Sequence, residues 1–413
     1  MNTADCIRTL KAFECRDASF LEASPPLVYK SASGMHVTDT DNKRYIDFCA
    51  GFGVHALGHN HAIHRELFAE QASFEAPPVV HGMGDVYPSV DKVLLIKRLS
   101  EVLPDYLNRV SLALSGGQAV ELAVKTALLR KPGLIVSCSG SYHGLDLGIL
   151  SLTSREDFKQ PFAMWTSKHS SLEIPFNTKD LDQILTHAKK LDLPLCAVIV
   201  EPIQGRAGVR PADLEFLRSL RQLCDREDAL LIYDEVFTGL GRSGRISFAD
   251  TVTCDLLCLG KALGGGFPLS ACVGTAEAMD AWPRNEGEAL HTGTFFGHPL
   301  SCRFAEKTLG FIVDNRLDDR ARKMGAVFKS MLEKRLLAHP LVESIRGDGL
   351  MLGVVFSKDL IGVHMTDILR GMGMITLPSG QKGHVLSLTP PLIVSEEDLE
   401  RGADLIEKAL HTL

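Results

Sequence analysis

A lysine and an aspartate each follow a short apolar run, and together they could perform cofactor chemistry. Asp234 ends the run ALLIYD, and Lys261 follows the run DLLCLG. Continuous runs of Val, Ile, Leu and Cys are typical of buried parallel strands, whose carboxyl ends gather ligands at one edge of a sheet. An amine at that edge can form a Schiff base with a pyridine aldehyde, and a carboxylate can keep the ring nitrogen protonated. The pair therefore predicts a site for pyridoxal 5′-phosphate.

The neighbouring sequence favours this interpretation of both residues. Lys261 precedes the glycine-rich turn ALGGGFP, where an amine should be at least partly desolvated. Desolvation and a nearby cation both lower the pKa of a lysine toward the reactive free amine. A buried Asp234 carboxylate needs a cationic partner, and a protonated pyridine nitrogen is one. A solvated loop lysine and an exposed turn aspartate are the alternatives for each segment taken alone.

A third segment offers a place for a phosphate group. In LSGGQAVELAVKTALLR, a strand end and a glycine turn lead into an apolar helix. We expect the backbone amides of Gly116, Gly117 and Gln118 to point at an anion, and the helix N-terminus adds roughly half a positive charge. Such a turn is often a plain connection, so this prediction depends on the neighbouring motifs.

Three more strand ends supply groups for a ring. SYHG brings Tyr142, whose ring could lie on one face of a pyridine, with His143 beside it. VEPIQG contains Glu201, and its Gln204 could reach a ring substituent. DEVFTG supplies Val236, whose branched side chain suits the opposite ring face. A packed core tyrosine and a surface histidine are the alternatives for SYHG.

Composition and charge restrict the class of protein. The chain has 413 residues, 45% hydrophobic and 23% charged, which is typical of a globular enzyme of two or three units. A net charge of −7 argues against nucleic acid or an anionic membrane as the main partner. No signal peptide or membrane-spanning stretch is recognisable, so we expect a cytoplasmic protein. Ten scattered cysteines predict reduced core thiols, and no metal site is expected at Cys254 and Cys258.

The order of elements predicts an α/β protein. Between about residues 60 and 300, helical patterns alternate with the runs NRVSLALSG, GLIVSCSGSYHG, LCAVIVEP, ALLIYDEV, DLLCLGK and SACVGT, which predicts a parallel sheet. Before them, MHVTDTDNKRYIDF alternates around a polar turn like a hairpin. After them, a helix near residues 316–337, two strands and a terminal helix with a capping box at Ser395 predict a smaller α+β domain. We expect an N-terminal segment, 1–59, that joins the small domain, a large cofactor-binding domain, 60–304, and the small domain, 305–413.

Six motifs in order resemble the class III pyridoxal-phosphate aminotransferases of fold type I. They are SGGQA, YHG, EPIQG, DEVFTGLGRSG, GKALGGGFP and HTGTFFGHPLSC, and the likeness extends essentially end to end. The resemblance implies a large domain with a mostly parallel seven-stranded sheet, a smaller α+β domain, and a homodimer with shared active sites. It also implies transfer of an amino group from an amine or amino acid to an oxo acid or aldehyde.

The resemblance assigns roles to individual residues. It implies a Schiff base on Lys261, Asp234 on the pyridine nitrogen, and Tyr142 and Val236 on the two ring faces. It implies that Thr294 reaches the phosphate in the neighbouring subunit. The implied cofactor residues are Ser115, Gly116, Gly117, Tyr142, His143, Glu201, Asp234, Val236, Lys261 and Thr294. The implied substrate residues are Phe52, Arg206 and Ser387.

The chain departs from the family pattern at several of these positions. The phosphate loop of the family usually has Ser or Thr and then Glu, where this chain has Gly117 and Gln118, so one hydroxyl donor is missing. Leu145 stands where the family often has Arg. Members that use 2-oxoglutarate have an Arg and a Glu where this chain has Ser387 and Arg206. We hypothesise that Arg206 contacts an anionic substrate; the alternative is that it points to solvent.

Related reactions use the same lysine and aspartate. An aminomutase or a racemase/epimerase of the same fold needs both residues without a net exchange of amino groups, and the missing acceptor arginine keeps this alternative open. A catalytically silent protein that retains the fold is a second alternative. The intact Lys261 and Asp234 argue against it.

Overall fold

The structure is a computed structural model that describes residues 1–15, 26–72, 86–166, 170–177, 181–284 and 287–413. The strands are β1 (Tyr29–Ser33), β2 (His36–Asp39), β3 (Arg44–Asp47), β4 (Arg109–Ala113), β5 (Leu134–Cys138), β6 (Ser171–Ile174), β7 (Leu195–Val200), β8 (Ile203–Gln204), β9 (Arg210–Pro211), β10 (Leu230–Asp234), β11 (Leu256–Leu259), β12 (Ser270–Gly274), β13 (Val342–Asp348), β14 (Met351–Phe356), β15 (Met374–Ile375), β16 (Leu377–Ser379) and β17 (Val385–Leu388). The helices are α1 (Thr3–Phe13), α2 (Ala62–Ala72), α3 (Val90–Val102), α4 (Gly116–Arg130), α5 (Glu156–Lys159), α6 (Ala163–Thr166), α7 (Asp182–Leu191), α8 (Leu214–Arg226), α9 (Ala276–Met279), α10 (Pro299–Asp314), α11 (Leu317–Leu336), α12 (Ile361–Gly371) and α13 (Glu396–Leu410).

The central part of the chain forms a seven-stranded sheet of order β4-β12-β11-β10-β7-β5-β6. The strands from β11 to β6 pair in parallel, whereas β12 runs antiparallel to both of its neighbours, β11 and β4. The prediction of a mostly parallel sheet is confirmed, but the parallel direction expected for SACVGT, which forms β12, is wrong. Only residues 260–269 link β11 to β12, and a parallel crossover needs a dozen or more residues.

Both faces of this sheet are covered, which explains the continuous apolar runs. Every residue of β7, β10 and β11 is buried. On one face Ala119 and Ala123 of α4 pack in a cluster with strand side chains, and on the other face Leu220 of α8 does so. Because the strand interiors are apolar, the polar side chains that follow them project from the carboxyl edge.

The N-terminal strands share a sheet with a strand from the end of the chain. The predicted hairpin is confirmed as the antiparallel pair β2 and β3, and β3 pairs in parallel with β15 in a sheet of order β1-β2-β3-β15. A third sheet has the order β13-β14-β17-β16. The boundaries expected for the three segments, 1–59, 60–304 and 305–413, stay a prediction.

The remaining sequence expectations concern a helix cap and the cysteines. Ser395 caps α13 as predicted, since its Oγ accepts from the Asp398 amide at 3.0 Å. The return bond of a capping box is replaced, because the Ser395 hydroxyl donates to Asp398 Oδ2 at 2.7 Å. All ten cysteines are free and eight are buried, which confirms the core thiols. Within the described ranges, no helix combines the length and apolarity needed to cross a membrane.

Candidate active site

A cleft of about 550 Å³ opens at the carboxyl ends of the central strands. It brings together ten of the residues that the sequence predicted. These are Ser115, Gly116, Gly117, Tyr142, His143, Glu201, Arg206, Asp234, Val236 and Lys261. They come from the start of α4, from the end of β10, and from the loops that follow β5, β7, β8, β10 and β11.

Asp234 ends β10 at the base of the cleft, where it has a fixed orientation. Its Oδ2 lies 2.8 Å from His143 Nδ1, and its Oδ1 accepts from the Val236 amide at 3.1 Å. The His143 amide in turn donates to Thr153 Oγ1 at 3.1 Å. Asp234 and His143 are both buried, and His143 Nε2 has no hydrogen-bond partner among the described residues. A carboxylate held in this way can stabilise a cation that binds next to it in the cleft.

Glu201 is a second buried carboxylate in the wall of the cleft. Its Oε1 accepts from the Tyr142 amide at 2.8 Å, and its Oε2 accepts from the Gly205 amide at 3.3 Å. These bonds tie the loop after β5 to the loop after β7. Burial raises the pKa of Glu201 to about 7, while His143 opposes this shift and Asp234 adds to it.

Lys261 begins the short 3₁₀ turn that follows β11. Its φ of +37° lies in the left-handed region, which costs a non-glycine residue backbone energy and often occurs at functional sites. Its Nζ lies 4.5 Å from the centroid of the Phe237 ring. Burial lowers the pKa of Lys261, Asp234 and Glu201 oppose this shift, and Arg206 lowers the pKa further. The amine is therefore shifted toward its reactive neutral form.

Val236 fits its place because two glycines lie against it. A Cβ on Gly116 would lie 2.6 Å from Val236 Cγ1, and a Cβ on Gly260 would lie 3.1 Å from the same atom. Glycine at 116 is needed for the start of α4 to approach this side chain so closely, and glycine at 260 relieves a tight contact after β11. Val236 is thereby exposed to the cleft between the predicted lysine and the predicted phosphate loop.

The start of α4 differs in one respect from the sequence prediction. The Gln118 amide was expected to face an anion, but it donates to Ser115 Oγ at 3.2 Å. Gln118 Oε1 in turn accepts from the Ser115 amide at 3.4 Å, which completes a capping box. The first-turn amides of Gly116 and Gly117 are left for a ligand.

Arg206 projects toward the cleft from the turn between β8 and β9. Its guanidinium carbon lies 5.0 Å from the centroid of the Tyr142 ring. Arg206 has no acidic partner among the ion pairs of the described residues, although acidic groups line the same cleft. A permanently charged guanidinium in this place can bind a carboxylate of a substrate.

Four predicted or suggested side chains lie elsewhere. Among the described residues that line the cleft, Phe52, Thr294 and Ser387 are absent. The Ser387 hydroxyl lies 2.5 Å from that of Ser379, and Phe52 is about half exposed, at 49%. Gln204 was suggested for a ring substituent, but its Nε2 donates to the Ser139 carbonyl at 3.0 Å, away from the cleft lining.

Sequence reasoning gave no role to several residues that line the cleft. They include Val54, Asp146, Thr238, Phe237 and the loop 266–269, and also Leu145, which was noted only as a departure from the family pattern. Asp146 follows the YHG motif by two residues, so the position of that motif could have indicated it. Val54 comes from the N-terminal segment, and only long-range packing brings it here.

Comparisons with known proteins identify the family of this chain. The family model for class III aminotransferases matches residues 20–410. The chain belongs to the class III aminotransferase family. It is 33% identical to the acetylornithine aminotransferase of Methanopyrus kandleri, over 93% of this chain and 94% of the relative. It is 34% identical to the acetylornithine aminotransferase of Corynebacterium efficiens, over 94% of each chain. The ornithine aminotransferase of Toxoplasma gondii has a similar structure, with a TM-score of 0.87, 28% identity and coverage of 100% and 96%.

Class III aminotransferases use pyridoxal 5′-phosphate to move an amino group from an amino acid to an oxo acid, and this chain is such an enzyme of fold type I. The residues of the cleft fit the cofactor. Asp234 is a buried carboxylate suited to a protonated ring nitrogen, and Lys261 is an amine suited to an aldehyde. The amides of Gly116 and Gly117 at the start of α4 are suited to a phosphate group.

Proposed function

We propose that this aminotransferase accepts amines that bear a carboxylate, and that Lys261 is its cofactor-binding and proton-transferring residue. The observation behind the proposal is that one cleft contains both an amine and a carboxylate that suit the cofactor. A lysine with a lowered pKa and a buried carboxylate held by His143 both face it. The bound cofactor supplies an electron sink for the bond that breaks at the amine carbon.

Lys261 then has two tasks in the proposal. Its neutral Nζ would hold the cofactor by the aldehyde carbon, with loss of water, until a substrate amine took that place. The released Nζ would be placed to accept the proton from the substrate carbon that bears the amino group, and to give this proton up again within the same half-reaction. Its left-handed φ on a turn whose other residues are buried favours one orientation toward the cleft.

Asp234, with His143 behind it, is proposed to hold the ring-nitrogen proton. The bond from His143 Nδ1 to Asp234 Oδ2 orients this carboxylate. Glu201 supports the same wall through its bond to the Tyr142 amide. Tyr142 and Val236 are proposed to contact the two ring faces, and Ser115 with the two glycines after it to bind the phosphate.

The substrate side of the cleft is proposed to use Arg206. The absence of an ion-pair partner in the described part of the chain and the exposed guanidinium support this assignment. The named relatives act on acetylornithine or ornithine, and both compounds carry a carboxylate. Phe52 and Ser387 do not line the cleft of the single chain. They are therefore proposed only to contact the part of a substrate that extends beyond the cleft.

A homodimer with shared active sites is part of the proposal. Tyr87, Val90 and Val93 are large apolar residues with more than half of their surface exposed around the start of α3. Exposed apolar patches often mark protein interfaces. Thr294 is exposed and lies outside the cleft of its own chain, as expected for a residue that serves the neighbouring subunit. A cytoplasmic location and the three-segment domain division are proposed on the sequence pattern.

A half-reaction screen tests the proposed function. The protein loaded with pyridoxal 5′-phosphate is mixed with carboxylate-bearing amines and with neutral amines of similar shape, without an oxo acid. We expect one equivalent of product per site and then a stop, with preference for the carboxylate-bearing amines. Continued turnover without an acceptor would contradict net amino transfer and indicate an isomerisation. Equal use of both amine classes would contradict the role of Arg206.

A further inference from the structure

A carboxylate lies beside the phosphate loop of this enzyme. Asp146, in the loop after β5, lines the same cleft as Ser115, Gly116 and Gly117. A Cβ on Gly117 would collide with Asp146 Oδ2, so the carboxylate occupies the space next to the first turn of α4. Gly117 is the residue type that permits this contact.

The backbone around Asp146 holds it in this place. Gly144, two residues earlier, has a φ of +118°, and a Cβ on it would lie 2.9 Å from the Gly117 Cα. The Asp146 carbonyl accepts from the Ile149 amide at 3.0 Å, and Ile149 is buried. The loop therefore crosses the start of α4 at close range, and the Asp146 side chain follows it there.

The Asp146 carboxylate has no cationic side chain as a partner in the described part of the chain. Among the hydrogen bonds and ion pairs of those ranges, none involves the Asp146 side chain, and its pKa is raised by burial and by the nearby Glu121. Glu121 itself is paired with Lys125 at 3.3 Å. Asp146 is therefore an uncompensated carboxylate close to the first turn of α4.

The phosphate of the cofactor needs the positive end of that helix. A helix N-terminus favours a nearby anion, whereas two anions close together repel each other. We propose that Asp146 weakens the binding of the phosphorylated cofactor by competing with its phosphate group for the first turn of α4. This inference rests on the proposed use of Ser115, Gly116 and Gly117 as the phosphate loop. It makes Asp146 a determinant of cofactor retention in this chain.

The test measures binding of pyridoxal 5′-phosphate to the cofactor-free protein by calorimetry, so that activity is not the readout. Asp146→Asn should tighten this binding by roughly tenfold, the factor that corresponds to one pKa unit of interaction. Binding of pyridoxal, which lacks the phosphate, should not change. Asp182→Asn is the matched control, because Asp182 is an exposed carboxylate outside the cleft lining.

Two results would overturn the inference. One is unchanged or weaker binding of pyridoxal 5′-phosphate in both Asp146→Asn and Asp146→Ala. The second variant is included so that a folding defect in one of them does not decide the result. The other is an equal gain for pyridoxal, since this gain cannot come from the phosphate. The wild-type protein is also compared with the two ligands. If it binds pyridoxal 5′-phosphate no more tightly than pyridoxal, the assignment of Ser115, Gly116 and Gly117 to the phosphate fails. If it prefers pyridoxal 5′-phosphate and the Asp146 variants do not change that preference, only the inference about Asp146 fails.

Discussion

His143 Nδ1 lies 2.8 Å from Asp234 Oδ2, and both side chains are buried at the end of the central sheet. A buried carboxylate is costly unless hydrogen bonds or a cation compensate it. The histidine and the Val236 amide compensate Asp234 and leave it aimed at the cleft. This pair connects the fold to the chemistry, because β10 supplies the aspartate and the loop after β5 supplies the histidine.

Replacing Asp234 by Asn should lower turnover more than substrate binding. A neutral amide cannot stabilise the ring-nitrogen proton, so the electron sink is weakened while the cleft keeps its shape. We expect kcat to fall by at least about 100-fold, equivalent to about 2.7 kcal/mol, with a small change in KM. Steady-state kinetics together with the visible absorbance of the bound cofactor test this. An unchanged kcat in a fully loaded variant would show that Asp234 has another role.

Arg206→Gln should raise KM for carboxylate-bearing substrates. A hydrogen bond to a charged group contributes about 1.5–3 kcal/mol, so the expected loss in kcat/KM is roughly tenfold or more. Neutral amines of similar shape should be unaffected. Arg210→Gln is a matched control, because Arg210 packs over Phe176 and lies outside the cleft lining. If both variants lose the same activity with both classes of amine, Arg206 has a structural role.

Arg206→Gln should also change the pH at which Lys261 reacts with the cofactor. Burial and Arg206 lower the pKa of Lys261 below 10.5, so its neutral form appears at lower pH than in a free lysine. The rate at which added pyridoxal 5′-phosphate becomes reducible by borohydride should therefore rise with pH, with a midpoint below 10.5. In Arg206→Gln the midpoint should move to higher pH, because one source of the lowering is lost. An unmoved midpoint would show that the Arg206 charge does not reach Lys261.

Mixed dimers test whether Thr294 serves the neighbouring subunit. In a heterodimer of Lys261→Ala and Thr294→Ala chains, one active site contains both changes and the other contains neither. Mixing the two weakly active homodimers should therefore restore activity in proportion to the heterodimer that forms. Mixing Lys261→Ala with Asp234→Asn is the control, because both of these residues line the cleft of one chain. Absence of recovery in verified heterodimers would place Thr294 outside the shared site.

Residues in continuous apolar runs could be predicted from the sequence. Burial on both faces makes β7, β10 and β11 recognisable, and the polar residues after them must meet at one edge. This is why Asp234 and Lys261 were found. β6 was not predicted, because its sequence SLEI is short and partly exposed at the sheet edge.

The positions that sequence reasoning missed depend on packing between distant segments. The reversed direction of β12 follows from a short connection rather than from its apolar pattern. The contact of Asp146 with Gly117 joins two loops whose proximity no local pattern indicates. The Gln118 amide was expected to bind an anion, but it donates a hydrogen bond to the Ser115 hydroxyl. Serine before the first helical residue is a strong N-cap.

The most direct test of the central claim is to find which lysine binds the cofactor. The protein loaded with pyridoxal 5′-phosphate is reduced with borohydride, digested and mapped by mass spectrometry. We expect one equivalent of reduced cofactor on the peptide that contains Lys261, and none in Lys261→Ala. Arg or Lys substitutions outside the cleft, such as Lys125→Ala, should leave the label in place. A label on another lysine, or its persistence in Lys261→Ala, would contradict the assignment of Lys261.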